Sequence, residues 1–339
     1  ITCRDWSSDV CSSDLSLLLE LEKAKNHIHL EYYIIEDDTI GNKIKDLLLM
    51  KARQGVKIRI IYDDVGSWEL SKKYLQALKA EGVEIFPFMP VKFPYFTSKI
   101  NYRNHRKIAI IDGITGIVGG MNIADRYVQG AKDIGPWRDT HLMLEGQAVK
   151  DLQMVFIIDW YFVSQQKISG QEYMPHYKIS ENHLIQITSS GPDSNWESIM
   201  QAYFSAITTA QNYIFITSPY FLPTESILLA LKTAGLSGID VRILLPFKSD
   251  SPLTYWSTLS FVDELLEAGI KVYFYTKGFI HSKVIIVDDI FASVGTANMD
   301  YRSFNQNFEV NALIYDKEIA LELKKHYVQD LAGSSMISM

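Results

Sequence analysis

Two copies of one motif carry the residue types that could perform chemistry. Each copy follows the pattern His-x-Lys-x4-Asp, and a turn of small residues then ends in asparagine, 17 residues after the histidine. The motif residues are His105, Lys107, Asp112 and Asn122 in the first copy and His281, Lys283, Asp288 and Asn298 in the second. One copy alone would be typical of a solvated strand edge, but two copies with equal spacing indicate a functional site.

Two imidazoles, two ammonium groups and two amides suit reaction at a phosphodiester. Lysine and asparagine can stabilise charge on the non-bridging oxygens, so Lys107, Asn122, Lys283 and Asn298 are expected to bind phosphate. One histidine can attack phosphorus while the other protonates the departing alkoxide. An incoming alcohol or water would then cleave the phosphohistidine. We expect no metal and no other cofactor, because the cationic side chains take the metal's electrostatic place.

Strand geometry separates the aspartates from the other motif residues. Side chains alternate between the two faces of a strand, so His105 and Lys107 point the same way. Asp112 lies an odd number of residues from His105 and therefore points to the opposite face, and the same parity holds for Asp288. Both aspartates belong to the catalytic motif by spacing, but their parity favours strand-end or structural roles.

Other carboxylates must then orient the imidazoles. Asp139 and Glu309 occupy corresponding positions in two β-like stretches beyond the asparagine turns. A carboxylate on Nδ1 fixes the tautomer of a histidine and stabilises its charged ring. His141, two residues after Asp139, could be a supporting polar group or could have no part in the site.

The motifs lie in a chain that contains an internal sequence repeat. Four blocks recur in the same order. They pair Ala24–Ile35 with Ala210–Phe221, Gly55–Asp63 with Gly238–Pro246, Leu78–Phe88 with Leu265–Tyr275, and Asn104–Gly113 with Ile280–Asp289. Each half alternates β-rich runs with amphipathic helices, which predicts an α/β fold with a mainly parallel or mixed sheet flanked by helices. We expect repeats at residues 16–164 and 196–331 and a polar linker at 165–195.

The first 15 residues do not fit this pattern. They resemble the translation of a sequencing adapter, and we expect a flexible, non-native leader. Both cysteines, Cys3 and Cys11, lie in this leader. If the leader is not native, a disulfide, a thiol nucleophile and a cysteine–zinc site are all excluded. Without the leader the net charge changes from −7 to −5, because Arg4, Asp5, Asp9 and Asp14 are lost.

The sequence also offers several alternative interpretations. A net acidic chain without a Lys/Arg run disfavours nucleic acid as a partner. His27, His29 and Glu31 share a strand face and could be drawn as a metal site, but the second repeat has no equivalent set. The aromatic segment 90–102 could pack locally or touch lipid. Arg302 and Ser303 could bind a headgroup phosphate or stabilise a loop.

The duplicated motif resembles the signature of the phospholipase D superfamily. Within it, the flanking blocks NYRNHRKIAIIDG, GGMNIADRY, WRDTHLMLEG, TSPYFLP and VGTANMDYRSFNQNFE look like those of bacterial cardiolipin synthases. The similarity covers roughly residues 18–331. It implies two pseudo-symmetric α/β repeats with one active site at their interface. It also implies His105 and His281 as the nucleophile and acid pair, with Asp139 and Glu309 as the orienting acids. We take His105 as the nucleophile.

The resemblance further implies transfer of a phosphatidyl group between two phosphatidylglycerol molecules, with release of glycerol. Another phosphatidyltransferase or a phospholipid hydrolase is the alternative, and a nuclease or an inactive membrane scaffold fits less well. Such synthases begin with membrane-spanning helices and continue beyond the point where this chain stops. We therefore expect a fragment with a truncated tail at 332–339. Its full-length form would lie in the bacterial cytoplasmic membrane among anionic lipids.

Overall fold

The computed structural model of the chain describes residues 10–91, 101–176 and 183–337. The first half contains α1 (Val10–Lys23), β1 (His27–Tyr32), α2 (Thr39–Arg53), β2 (Lys57–Asp63), α3 (Lys72–Ala80), β3 (Glu84–Phe88), β4 (Lys107–Ile111), β5 (Thr115–Gly119), α4 (Asp125–Gln129), β6 (Trp137–Arg138), β7 (His141–Glu145) and α5 (Gln147–Ser164). A short 3₁₀ helix, Gln171–Tyr173, follows.

The second half repeats this order with additions at both ends. Its elements are β8 (Ile185–Ser190), α6 (Ser198–Thr209), β9 (Tyr213–Thr217), β10 (Phe221–Leu222), α7 (Glu225–Leu236), β11 (Asp240–Pro246), α8 (Pro252–Leu259), α9 (Val262–Glu267), β12 (Lys271–Tyr275), β13 (Phe279–Ile280), β14 (Val284–Val287), β15 (Phe291–Gly295), β16 (Met299–Asp300), α10 (Tyr301–Asn305), β17 (Glu309–Ile314), α11 (Lys317–Leu331) and β18 (Ser334–Met336).

Each half builds its main sheet with the same topology. The first sheet has the order β3-β2-β1-β4-β5-β7, and the second contains the matching order β12-β11-β9-β14-β15-β17. The first three strands of each set are parallel, and the remaining pairings are antiparallel. The predicted α/β class with two repeats and mixed sheets is therefore confirmed.

Glycine sets the junctions at which helices pass into parallel strands. Gly55, Gly82, Gly238 and Gly269 have φ values of 88°, 80°, 88° and 77°. Such positive φ angles strain residues that carry a Cβ, whereas glycine adopts them readily. Each junction thus turns sharply and returns the chain to the sheet in both repeats.

One apolar core joins the two repeats. It combines buried residues of β4, β5 and β7 with residues of β14, β15 and β17, and α5 contributes Phe156 and Trp160. Two further cores cover the outer faces of the two sheets. Because the shared core fixes one sheet against the other, the strand ends that carry the motifs are held at the repeat interface.

The structure differs from the sequence-based expectation near the predicted boundaries. The predicted linker contributes β8, which pairs with β17, and the predicted tail contributes β18, which pairs with β12. Helix α1 begins at Val10, so the end of the predicted leader is helical rather than flexible. Residues 1–9 and 92–100, which hold the rest of the leader and most of the aromatic segment, lie outside the described residues. Among the helices of the described ranges, none combines the length and apolarity needed to cross a bilayer.

Candidate active site

The backbone preceding each motif histidine pairs with the opposite repeat. The N–H of His105 donates to the carbonyl of Phe308 at 2.9 Å, and the N–H of His281 donates to the carbonyl of Arg138 at 2.7 Å. Phe308 directly precedes Glu309, and Arg138 directly precedes Asp139. This backbone pairing therefore brings each histidine next to a carboxylate of the other repeat.

Each imidazole contacts that carboxylate through Nδ1. His105 Nδ1 lies 3.0 Å from both carboxylate oxygens of Glu309, and His281 Nδ1 lies 2.6 Å from Asp139 Oδ2. Because a carboxylate only accepts, the hydrogen belongs on Nδ1, and Nε2 is left as the nitrogen that can react. The two predicted orienting acids are in place, but each serves the histidine of the other repeat.

The two lysines lie buried beside the histidine main chain. Lys107 Nζ donates to the carbonyl of His105 at 2.6 Å, and Lys283 Nζ donates to the carbonyl of His281. Burial lowers the pKa of Lys107 well below its usual range and lowers the pKa of Lys283 to about 8. Lys283 therefore still carries its charge at neutral pH. Its Nζ also lies 2.9 Å from His281 Nδ1, and this nearby positive charge disfavours protonation of the imidazole.

The two asparagines differ in how they are held. Asn122 accepts from the N–H of Ile34 at 3.0 Å and donates to the hydroxyl of Tyr127 at 2.7 Å. The backbone N–H of Asn298 donates to Ser303 Oγ, while Asn298 Oδ1 is buried and has no partner in the described part of the protein. Ser303 thus supports a motif residue, the structural alternative raised from the sequence.

A cavity of about 730 Å³ lies between the repeats, and neither motif lysine is among the residues that line it. His105, His281, Asn122 and Asn298 line it. Its wall also includes residues outside the two motifs, namely Tyr33, Arg103, Arg126, Tyr127, Trp137, Tyr220, Asp250, Ser251, Thr254, Asp300 and Arg302. No spacing or residue pattern marked most of these in advance. Arg302, a headgroup candidate from the sequence, lines the cavity.

Burial and charge keep both imidazoles neutral in the free site. Burial lowers the pKa of His105 to about 4 and that of His281 to about 3, and the neighbouring lysines add to the effect. The pKa of Asp139 falls to about 2 although burial opposes this, because Lys283 and His281 favour its charged form. A neutral imidazole whose Nδ1 is held by a carboxylate is the form that attacks an electrophile. A bound phosphate anion would raise the pKa of a neighbouring imidazole.

The motif aspartates lie outside this arrangement. Asp112, at φ 54°, accepts the backbone N–H groups of Lys25, Asn26 and His27 at 2.7–2.9 Å. Asp288, at φ 53°, accepts three N–H groups at the start of β9 in the same manner. Neither aspartate is among the residues that line the cavity. Each joins the end of its motif strand to the start of the neighbouring strand, as the parity argument favours.

The histidines of β1 are engaged in packing. His27 and His29 both contact the side chain of Gln153, and Glu31 accepts from Asn104 at 2.6 Å. Within the described ranges, no cluster of three or more His, Cys, Asp or Glu side chains could hold a metal ion.

Comparison with known proteins identifies relatives over most of the chain. A family model described as "Cardiolipin synthase, PLD-like domain" matches residues 17–160 and 203–331. The chain is 50% identical over 324 residues to a cardiolipin synthase of Geobacillus kaustophilus (strain HTA426), covering 95% of this chain and 64% of that protein. It is 48% identical over 320 residues to the major cardiolipin synthase of Bacillus subtilis (strain 168), covering 94% of this chain and 66% of that protein. The chain thus spans less than two thirds of the length of these relatives.

Two solved structures share the fold at low identity. A phosphatidylserine synthase of Haemophilus influenzae Rd KW20 superposes with a TM-score of 0.75 at 16% identity, covering 99% of this chain and 87% of that one. A polyphosphate kinase from Porphyromonas gingivalis gives a TM-score of 0.64 at 12% identity, covering 99% of this chain and 48% of that one. At these identities the likeness shows the two-repeat fold alone.

The capping role of the motif aspartate predicts a loss of stability on substitution. Asp112→Ala removes the acceptor of three N–H groups and places alanine at a positive φ angle. It should lower the free energy of unfolding by about 2–4 kcal/mol, measured by urea denaturation. Asp112→Asn retains an acceptor oxygen and tolerates this backbone region, so its loss should be smaller. Asp46→Ala, on an exposed face of α2, is the control. If Asp112→Ala kept full stability, the capping role would be wrong.

Proposed function

Because the chain belongs to the cardiolipin synthase family with PLD-like domains, we propose that it is a phosphatidyltransferase that makes cardiolipin. Its substrates would be two phosphatidylglycerol molecules, and glycerol would leave. The observation that carries this proposal is the pair of imidazole–carboxylate contacts, each made across the repeats, at a single cavity. One site with two histidines in corresponding positions suits a reaction with two successive substitutions at phosphorus.

In the first half-reaction, Nε2 of one histidine attacks the phosphorus of phosphatidylglycerol. The bond from phosphorus to the headgroup glycerol oxygen breaks, and the second imidazole, charged by a proton, gives that proton to the departing oxygen. We take His105 as the nucleophile because its side chain is the more accessible of the two, at 12% exposure against 6% for His281. The lysine and asparagine side chains would stabilise the charge on the non-bridging oxygens.

In the second half-reaction, a headgroup hydroxyl of another phosphatidylglycerol attacks the phosphohistidine. His281 now takes the proton from this hydroxyl, so the phosphorus–nitrogen bond breaks and both imidazoles return to their initial state. Water in place of the lipid hydroxyl would give phosphatidic acid. The choice of acceptor therefore decides between a transferase and a hydrolase.

Apolar side chains beside the cavity support a membrane-associated substrate. Phe247, Leu253 and Trp256 are 52%, 80% and 69% exposed, and we refer to these three residues as the apolar rim. Leu253 and Trp256 lie on α8, the helix whose Thr254 lines the cavity. Exposed Trp and Leu side chains are stabilised at a bilayer surface. We propose that the rim rests on the cytoplasmic membrane while the lipid phosphate enters the cavity.

The proposed reaction is tested with labelled phosphatidylglycerol in the presence of a metal chelator. We expect labelled cardiolipin and free glycerol, separated by thin-layer chromatography, since Lys283, together with Lys107 once a phosphate anion raises its pKa, supplies the charge that a metal would. His105→Ala and His281→Ala should each lower turnover by at least about 10³-fold, because each removes a group that acts in the transition state. His176→Ala, outside the site, is the control.

Three results would count against this function. Phosphatidic acid without cardiolipin would identify a hydrolase, and loss of activity with chelator would contradict the metal-independent mechanism. Full activity in either histidine variant would contradict the shared site.

The apolar rim predicts binding of this chain to lipid vesicles. Leu253→Ser combined with Trp256→Ser should weaken sedimentation with phosphatidylglycerol vesicles by about tenfold or more, because the apolar area buried in the bilayer is lost. Turnover of detergent-dispersed short-chain phosphatidylglycerol should stay unchanged. Leu184→Ser removes another exposed leucine, before β8, and should leave vesicle binding intact. Equal vesicle binding by the double variant and the unaltered protein would show that the rim does not contact lipid.

A further inference from the structure

The turns that carry the two motif asparagines are each held by one side chain of the adjoining strand. In the first repeat, the backbone N–H of Met121 donates to Nε2 of His141 at 2.6 Å. In the second, the N–H of Ala297 donates to Oδ1 of Asn311 at 3.2 Å. Met121 and Ala297 are the residues directly before Asn122 and Asn298. The same backbone position is thus anchored in both repeats.

The two anchors occupy equivalent places in the fold. His141 follows Asp139 by two residues, and Asn311 follows Glu309 by two residues. His141 pairs with Gly119 between β5 and β7, and Asn311 pairs with Gly295 between β15 and β17. Two different residue types therefore place a neutral acceptor at the same point.

The glycines opposite the anchors leave room for them. A Cβ on Gly119 would lie 2.5 Å from Cδ2 of the His141 ring. A Cβ on Gly295 would overlap Cγ and Oδ1 of Asn311. Both distances are too short for atoms that are not bonded. Each turn therefore begins at a glycine, because a side chain at that position would occupy the space that the anchoring side chain needs to reach the backbone N–H.

We propose that His141 and Asn311 are positioning residues, which hold the two turns so that Asn122 and Asn298 face the phosphate of the substrate. This inference rests on the proposed function, because it assigns a task within the same site. His141 does not line the main cavity but borders a small hollow behind Asn122, so it acts through the asparagine. Burial lowers the pKa of His141 to about 4, which keeps Nε2 an acceptor at neutral pH.

The test compares removal of the anchor with its replacement by a neutral acceptor. His141→Leu keeps side-chain bulk but has no acceptor. His141→Gln places an amide oxygen at the same number of bonds from Cα as Nε2 and offers the acceptor chemistry of Asn311. Two quantities are measured on the whole chain: the affinity for inorganic phosphate, by calorimetry, and kcat and KM for phosphatidylglycerol.

We expect His141→Leu to weaken phosphate binding by about tenfold and to lower kcat/KM by a similar factor, since a lost hydrogen bond of this kind has that effect. His141→Gln should remain within about threefold of the unaltered protein in both measurements. If the leucine variant does not fold, His141→Phe makes the same test, because it keeps a flat aromatic ring but has no acceptor. It should also weaken phosphate binding by about tenfold.

Unchanged phosphate affinity in the folded leucine or phenylalanine variant would overturn the inference. A glutamine variant that loses as much affinity as the leucine variant would overturn it too, since an acceptor would then not suffice. If the unaltered protein bound phosphate but did not convert phosphatidylglycerol, the proposed function would fail. The phosphate titration of the variants would still decide the role of His141.

Discussion

The contact between each imidazole and a carboxylate of the opposite repeat is the constraint on which this site depends. Neither repeat can orient its own histidine with the acid it carries, because Glu309 contacts His105 and Asp139 contacts His281. The contact requires that the two sheets be held in fixed register. The shared core supplies that register, and the backbone pairs His105 with Phe308 and His281 with Arg138. Two half-sites therefore form one site only when both repeats are folded and packed.

The repeats are equivalent in topology but not in detail, and the differences fall on the carboxylates. Thr296 donates its hydroxyl to Glu309 at 2.5 Å. The matching residue is Gly120, where a Cβ would overlap the carboxylate of Asp139. The longer glutamate is thus held by a side chain, whereas the shorter aspartate is approached closely by backbone. This asymmetry gives the two imidazoles different surroundings, which is a physical basis for separate roles as nucleophile and acid.

Local spacing predicted much of the fold, and long-range pairing accounts for what it missed. The repeat, the α/β class and the outward parity of Asp112 and Asp288 all follow from intervals of a few residues. The exchange of Asp139 and Glu309 between repeats could not be predicted, because both halves offer a carboxylate at the same place and spacing does not report partners. The edge strands β8 and β18 were missed for a related reason. Their short, polar segments become strands by pairing with β17 and β12. The cavity wall, with Tyr33, Arg126 and Trp137, likewise comes from distant segments.

Cross-repeat carboxylates contact Nδ1 of both motif histidines, and in the proposed reaction Nε2 is the nitrogen that attacks phosphorus. The most direct measurement is the position of the covalent bond in the intermediate, obtained by quenching the reaction with labelled phosphatidylglycerol and mapping the adduct by mass spectrometry and ³¹P NMR. We predict a phosphatidyl group on Nε2 of His105. An adduct on Nδ1, or no adduct on either motif histidine under conditions of full turnover, would contradict this prediction.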